Sequence, residues 1–201
     1  LANVFDNTAK QIGLEVVGRD GIDGKAADYK ALATKIKGTG AEGIYFGGIT
    51  QNNAGLLIKD LRAAGFTGKF MGPDGIYEDA FIEAAGEAAE GVYVTFGGVP
   101  PSKLTGKGKE WFDAYNAKFG SQPEGYASYG YESANVALAA INSVCKKDRA
   151  AILGAVFATK DFDGVTGKFS IDANGDTSST AMSGFQIKGG KFDTDNTTVL
   201  K

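Results

Sequence analysis

The sequence contains no histidine, a single cysteine and no long apolar run. Without histidine the chain lacks the usual general base of hydrolases and the commonest metal ligand, which excludes most hydrolytic and zinc-dependent mechanisms. The lone Cys145 cannot form an internal disulfide, and its place at the end of an apolar helical pattern predicts a semi-buried structural thiol. No apolar stretch approaches the roughly 20 residues that span a bilayer, so we expect no membrane-spanning segment.

An excess of positive charge is also lacking. The net charge is -3 and the sequence pI is about 5.1, so no basic field is present to neutralise phosphates and we expect no nucleic-acid partner. The first residues, LANVFDNTAK, lack the charged start, apolar middle and cleavage site of a secretion signal. Either the protein is cytosolic or its N-terminal part is missing from this sequence.

Glycine, in contrast, is abundant. The chain has 30 glycines, about twice the usual share of roughly 7%, which predicts many turns and many short elements. Short apolar segments alternate with helical patterns through the first half of the chain. Strands are predicted at 14–17, 43–46, 69–71 and 92–96, and helices at 1–12, 29–38, 53–64 and 79–85. Such β-α alternation predicts an α/β fold built on a doubly wound parallel sheet.

The rhythm breaks near residue 98, where GGVPPSKLTGKGK carries two prolines and three lysines. This composition is typical of a linker or of a crossing between lobes. Helices are then predicted near 110–119, 126–144 and 149–158, followed by antiparallel strands at 164–171 and 182–187. The long helix is apolar on all sides, and we expect full burial of Val136, Leu138, Ala140 and Ile141.

Three motifs with catalytic or metal-binding associations stand in the wrong context. The GxGxxG pattern at 38–43 follows a helix and precedes a strand, the reverse of the order that places a pyrophosphate on a helix N-terminus. Ser128 lies in GYASYG, which has the wrong spacing for a nucleophile elbow, and no histidine can activate it. The ANGD segment at 173–176 lacks the ligand spacing of a calcium loop and predicts a hairpin turn. We therefore expect no catalytic residue, no metal and no cofactor.

Two loops that follow predicted strands are the candidate binding segments. Ligands of open parallel sheets bind just outside the carboxyl ends of the strands, and GGITQN and GPDG occupy such ends. Thr50 or Asn52 is placed to cap the next helix. Asp74, between a proline and Gly75, is held on a rigid turn where it could accept charge-assisted hydrogen bonds from an ammonium group. Ordinary connecting loops, with Asp74 as a simple turn cap, explain the same pattern.

Taken together, three runs in the first half resemble the periplasmic leucine/isoleucine/valine-binding proteins in order and spacing: GIYFGGITQNNAGLLIKDLRAAGF, KFMGPDGIYEDAF and AAGEAAEGVYVTF. The likeness continues through GYASYGYESANVALAAI and GVTGKFSIDANGDTSSTAMSGFQI. It implies the two-lobed fold of the type I periplasmic binding proteins, whose members are markedly longer. On this resemblance the sequence lacks the N-terminal part of lobe 1.

The resemblance also implies a domain organisation. Residues 1–97 and 182–201 would form the C-terminal lobe without its first strand, and 98–181 would return to the N-terminal lobe through hinge crossings. A lobe without its first strand exposes surface, so we expect domain swapping, aggregation or capture of the rest of the protein.

By the same resemblance, five residues form the ligand site. Asp74 stands where the family has an acidic residue that binds the α-ammonium, Ile49 where an aromatic side chain often helps, and Tyr126 where an aromatic lines the side-chain pocket. Thr50 and Gly75 flank them. Two departures from the family affect the ligand: Asp is one methylene shorter than Glu, and Ile49 removes an aromatic contact to the cation. The groups that hold the ligand's carboxylate would lie in the missing part, so this chain alone should bind weakly.

The function implied is that of a non-catalytic, extracytoplasmic or periplasmic binding protein. It would trap an amino acid by hinge closure and deliver it to a membrane permease of an ATP-driven uptake system. One alternative is the sensing domain of a receptor or transcriptional regulator with the same fold. The other is an α/β enzyme without histidine, for which the sequence offers no clustered Lys/Asp/Glu site.

Overall fold

In the computed structural model, which describes residues 1–200, short helices and strands alternate along the chain. The helices are α1 (Ala2–Gln11), α2 (Lys30–Gly38), α3 (Ala54–Ala63), α4 (Asp79–Ala85), α5 (Lys107–Phe119), α6 (Ala127–Val144) and α7 (Arg149–Phe157). The strands are β1 (Gly43–Tyr45), β2 (Lys69–Gly72), β3 (Tyr93–Gly97), β4 (Phe162–Gly164), β5 (Gly167–Phe169), β6 (Met182–Lys188) and β7 (Lys191–Leu200).

The coordinates divide into two compact units. The first unit comprises residues 1–96 and 184–198, and the second comprises residues 97–183 with residues 199 and 200. The chain thus leaves the first unit at the last residue of β3 and returns to it within β6. The assignment of the predicted segments 1–97 with 182–201 and 98–181 to the two lobes of a longer protein stays a prediction.

A five-stranded sheet forms the centre of the first unit, in the order β1-β2-β3-β6-β7. β1 and β2 are parallel, with Ile44 beside Phe70, and β2 and β3 are parallel, with Met71 beside Tyr93. The helix between two parallel strands serves as the crossover connection that such strands require. The α/β class with a largely parallel sheet is therefore confirmed.

The core of the first unit is dense with large apolar side chains. Fully buried residues come from β2, from β3 and the residue before it, from β6 and from the helices: Ile58, Leu61, Phe70, Ile76, Phe81, Val92, Val94, Phe96 and Ile187. Burial of each such side chain contributes about 1.5–3 kcal/mol relative to exposure. The sequence builds this core because the helical spacing in α3 places Leu57, Ile58 and Leu61 on one face. The left-handed Gly65 (φ +80°) follows and ends that helix.

The last two strands form a hairpin. Gly189 and Gly190, with φ of +58° and +69°, connect β6 to β7, and two consecutive positive φ values are what a type I′ hairpin turn demands. Glycine adopts these φ values without steric cost.

The second unit contains three helices and a small hairpin. β4 and β5 pair antiparallel, with Phe162 beside Phe169. Helix α6 buries a single stripe at four-residue spacing: Ser128, Glu132, Val136 and Ala140. The expectation that the whole helix is buried is wrong, because Leu138 is 56% and Ile141 44% exposed. Both lie off the stripe, where neighbouring residues cover them only in part.

The predicted strand at 14–17 is also absent. The backbone there is irregular, and Leu14 and Val17 are 55% and 50% exposed. A strand needs a hydrogen-bonded neighbour, and the described sheet reaches no further than β1 on this side. An apolar run alone does not supply that partner.

Other short-range predictions can be checked in the same way. The GxGxxG segment lies between the end of α2 and the start of β1, as the sequence order required. Asp172 Oδ1 accepts hydrogen bonds from the backbone N–H of Asn174 and Asp176, so ANGD forms a turn.

Cys145 is exposed and follows α6 in the left-handed conformation. The prediction of a semi-buried thiol is therefore wrong, because the helix ends before this residue and the chain turns outward.

Candidate functional site

The candidate site lies in the first unit, at the carboxyl ends of β1 and β2. These neighbouring parallel strands end on the same edge of the sheet, and Phe46 N–H donates to Met71 C=O (2.8 Å) just before both loops begin. The loop after β1 runs through 47–53 and the loop after β2 through 73–78. Parallel pairing therefore brings the two predicted segments side by side.

Asp74 begins a short 3-10 helix, Asp74–Ile76, directly after Pro73. The backbone of Pro73 is extended, and Tyr77 N–H donates to Asp74 C=O (2.9 Å), which closes the turn. Asp74 is partly exposed. The predicted rigid placement of this residue on a turn thus has a structural basis in the flanking proline and the closed turn.

The carboxylate of Asp74 acts electrostatically on Tyr45 at the end of β1. Burial raises the pKa of the Tyr45 hydroxyl, and the negative charge of Asp74 raises it further. A charge that disfavours tyrosinate in this way favours a positive group at the same place. The edge of the sheet therefore carries a fixed negative charge beside a neutral phenol.

Gly75 is where the two loops meet. Thr50 Oγ1 donates to Gly75 C=O (3.1 Å), and a Cβ atom at position 75 would lie 2.5 Å from Ile49 Cγ2. Any larger residue would collide with the branched Ile49 side chain. The structure thus brings together four of the five predicted site residues, with Ile49 45% exposed.

The predicted helix cap takes a different form. α3 begins at Ala54, and its N-cap residue is Asn53, in the left-handed conformation (φ +63°) and without a side-chain cap bond. A 3-10 helix, Thr50–Asn52, precedes it, and Asn52 Oδ1 accepts from Ile49 N–H (3.0 Å). Thr50 and Asn52 therefore order the loop before the helix and do not cap α3, because the extra 3-10 turn displaces its start.

Tyr45 is the residue of this edge that the sequence analysis missed. Its ring stacks on Phe5 of α1, with centroids 4.2 Å apart and planes 3° from parallel. It is the last residue of β1, and that position at a strand's carboxyl end was the available signal.

Tyr126 belongs to the second unit, where it precedes the first turn of α6 and is 44% exposed. Its role in a site shared with Asp74 stays a prediction.

Within residues 1–200, no group of three or more Cys, Asp or Glu side chains is arranged to hold a metal ion. In the same part of the chain, no helix combines the length and apolar character needed to cross a membrane. The candidate site thus consists of one carboxylate, one hydroxyl engaged with the backbone, a phenol and an exposed aliphatic surface. This set can bind a cationic group next to an apolar one.

The chain resembles known proteins in sequence. The sequence profile of the periplasmic binding protein family matches residues 1–191. An amino acid binding protein of Pseudomonas aeruginosa is 36% identical over 152 residues, which are 75% of this chain and 40% of that protein. A leucine-, isoleucine-, valine-, threonine- and alanine-binding protein of the same organism is 29% identical over 88% of this chain and 46% of its own length.

Solved structures resemble the chain over nearly its whole length. A leucine-binding protein of Thermotoga maritima superposes with a TM-score of 0.88 at 28% identity, covering 96% of this chain and 54% of that one. The substrate-binding protein of a branched-chain amino acid transporter from Streptococcus pneumoniae, solved with isoleucine, gives 0.87 at 27% identity, covering 100% and 56%.

The chain spans about half the length of the relatives it matches. The likeness nevertheless confirms the predicted type I periplasmic-binding-protein fold and the resemblance to Leu/Ile/Val-binding proteins. The family binds solutes and is not a family of enzymes, and the chain belongs to this family of periplasmic binding proteins.

Proposed function

We propose that this chain is the amino-acid-binding part of an extracytoplasmic binding protein for an ATP-driven uptake system. Asp74 binds the α-ammonium group of the ligand, which is a branched-chain or related amino acid. The observation that carries this proposal is the position of Asp74, on a turn closed by hydrogen bonding and preceded by proline, at the carboxyl ends of two parallel strands.

The neighbours of Asp74 support an ammonium ligand. A carboxylate that already raises the pKa of Tyr45 gains from a cation at short range, and charge-assisted hydrogen bonds are about twice as strong as neutral ones. The exposed Ile49 lies against Gly75 and offers an aliphatic surface beside the charge. The relatives fit this chemistry, since four of the five amino acids in the name of one have aliphatic side chains and another was solved with isoleucine.

Tyr126 contributes an aromatic wall to the side-chain pocket in this proposal. Closure of two lobes about a hinge traps the amino acid, because the closed form makes contacts with the ligand that the open form lacks. The closed form then docks on a membrane permease in the extracytoplasmic space. No covalent step is involved.

Calorimetric titration tests the proposal. The full-length protein that carries these residues is titrated with a panel of aliphatic, polar and aromatic amino acids, and the titration is repeated with Asp74→Asn. We expect saturable binding of an aliphatic amino acid, weakened by roughly 10–100-fold in the variant, since a hydrogen bond to a charged group contributes about 1.5–3 kcal/mol.

Glu78→Gln is the matched control. Glu78 lies in the same loop and accepts from Gln51 Nε2 (3.2 Å), so the change removes one charge near the site without touching the anchor. Affinity within about twofold of the unmodified protein is expected. Binding that is indifferent to Asp74, or lost equally in both variants, would overturn the assignment of the anchor.

A further inference from the structure

The loop that carries Asp74 is tied to the neighbouring loop by two polar contacts of different character. Thr50 Oγ1 donates to Gly75 C=O (3.1 Å) in a partly buried position, whereas Gln51 Nε2 donates to Glu78 Oε2 (3.2 Å) at the exposed surface. Hydrogen bonds shielded from water are the stronger ones. The bond from Thr50 is therefore the principal polar tie between the two loops.

The hydroxyl proton of Thr50 is already engaged. A threonine hydroxyl has one proton to donate, and the backbone of the adjacent loop accepts it. A ligand carboxylate needs hydrogen-bond donors, so Thr50 could serve one only by releasing Gly75. This arrangement favours an action of Thr50 on the ligand through the loop of Asp74, in place of the direct contact that the sequence predicted.

Gly75 is also held by shape. A Cβ atom at this position would lie 2.5 Å from Ile49 Cγ2 and 3.2 Å from the carbonyl oxygen of Gly48. The loop after β1 thus meets Gly75 with a hydroxyl, an aliphatic side chain and a backbone oxygen. Because Gly75 directly follows Asp74, contacts that fix this residue also restrict the backbone of Asp74.

The loop that presents Thr50 is itself ordered. Thr50 begins the 3-10 helix Thr50–Asn52, and Asn52 Oδ1 accepts from Ile49 N–H (3.0 Å). Asn53 N–H donates to Thr50 C=O (3.1 Å), and Asn53 Nδ2 donates to Ala26 C=O (3.2 Å). A donor that is held in place by its own neighbours can fix the group to which it donates.

We propose that Thr50 is a positioning residue of the amino-acid site. Its hydroxyl fixes the residue after Asp74 and so holds the Asp74 carboxylate where it meets the ammonium group of the ligand. This inference rests on the proposed role of Asp74. Without the hydroxyl, Asp74 keeps its charge but is less closely held, and binding of the ammonium group then has to order the loop as well.

A double-mutant cycle in the full-length protein that carries these residues tests the inference. The unmodified protein, Thr50→Val, Asp74→Asn and the double variant are titrated calorimetrically with the tightest binder among leucine, isoleucine and valine. We expect Thr50→Val to weaken binding by about three- to tenfold, the effect of one hydrogen bond. In the Asp74→Asn background it should change affinity by less than about twofold, because the two residues act as a unit. Thr50→Ser keeps the hydroxyl and should restore the affinity.

Thr34→Val is the matched control. Thr34 Oγ1 donates to Lys30 C=O (2.9 Å) within α2, so the same chemical change there removes a similar hydrogen bond outside the two loops. Unchanged affinity is expected. Thermal denaturation reports whether each variant folds, and Thr50→Ala replaces Thr50→Val in the cycle if the latter does not.

The outcomes separate this inference from the proposed function. An equal loss in both backgrounds would overturn the inference, since Thr50 would then contact the ligand directly. Unchanged affinity after Thr50→Val, or a loss that Thr50→Ser does not restore, would overturn it too. Binding that is indifferent to Asp74→Asn, or no binding of the three amino acids, would overturn the proposed role of Asp74 and this inference with it.

Discussion

The two units of the chain bury their apolar side chains to different extents. In the first unit, aromatic and branched side chains from the sheet and helices are fully buried, among them Phe70, Phe81 and Phe96. In the second, α7 is the most apolar helix of the chain and contains no buried residue. The apolar composition of a segment thus predicts that it forms a helix or strand, whereas the burial of its side chains depends on which other elements pack against that segment.

The largest expected effect tests this contrast directly. Phe70→Ala should destabilise the chain by about 3–5 kcal/mol, because the residue is fully buried and its removal leaves a cavity. Leu138→Ala, at a position 56% exposed on α6, should change the free energy of unfolding by no more than about 0.5 kcal/mol. Urea denaturation monitored by circular dichroism measures both. A cost above 2 kcal/mol for Leu138→Ala would mean that the apolar face of α6 is covered in solution.

A pH-dependent effect is expected at a tyrosine of the first unit. Tyr77 lies among Phe96, Phe185 and Phe192, and burial, with a smaller effect from Asp79, raises its pKa to about 12. The pKa of Tyr77 in the folded state exceeds the ordinary value near 10. The stability that the protein gains by keeping this phenol neutral is therefore fully present below pH 10. It is lost as pH rises from 10 towards 12, by about 2–3 kcal/mol in total.

Unfolding free energies between pH 9 and 12, compared with those of Tyr77→Phe, measure this effect. The variant should show a smaller decline over that interval. Parallel curves for the two proteins would show that Tyr77 ionises normally and that the aromatic cluster is open to water.

Substitutions at two glycines of the second unit are expected to change stability in opposite directions, each by less than Phe70→Ala. Gly164→Ala should cost about 1–3 kcal/mol, because the added methyl group meets the Glu132 carboxylate. Gly154→Ala, in α7, adds a methyl group with no atom within 4 Å and should stabilise by about 0.5–1 kcal/mol through helix propensity. Thermal denaturation compares them. Equal effects would show that Glu132 is free to move away from β4.

Much of the fold could be predicted from the sequence. The boundaries of α4, the glycine that ends α3 and the turn at 189–190 follow from local chemistry, since helical spacing and positive φ are properties of short segments. Burial could not be predicted for Leu14 or Leu138, because it depends on neighbours distant in sequence. The length of the helical pattern at α6 indicates a helix, but the face that this helix buries depends on the elements packed against it, α7 and β4.

The site was predictable to a similar extent. Two strand ends with small residues indicated the loops of Thr50 and Asp74, and the sheet register explains why they meet. The hydrogen bond from Thr50 Oγ1 to Gly75 C=O depends on three-dimensional placement that sequence spacing does not reveal.

The measurement that tests the central claim most directly compares an amino acid with its analogue lacking the amino group. The full-length protein and Asp74→Asn are titrated with the tightest-binding amino acid and with the corresponding carboxylic acid. We predict that the unmodified protein prefers the amino acid by at least tenfold and that Asp74→Asn loses most of this preference. An equal preference in the two proteins would contradict the role of Asp74 as the ammonium anchor.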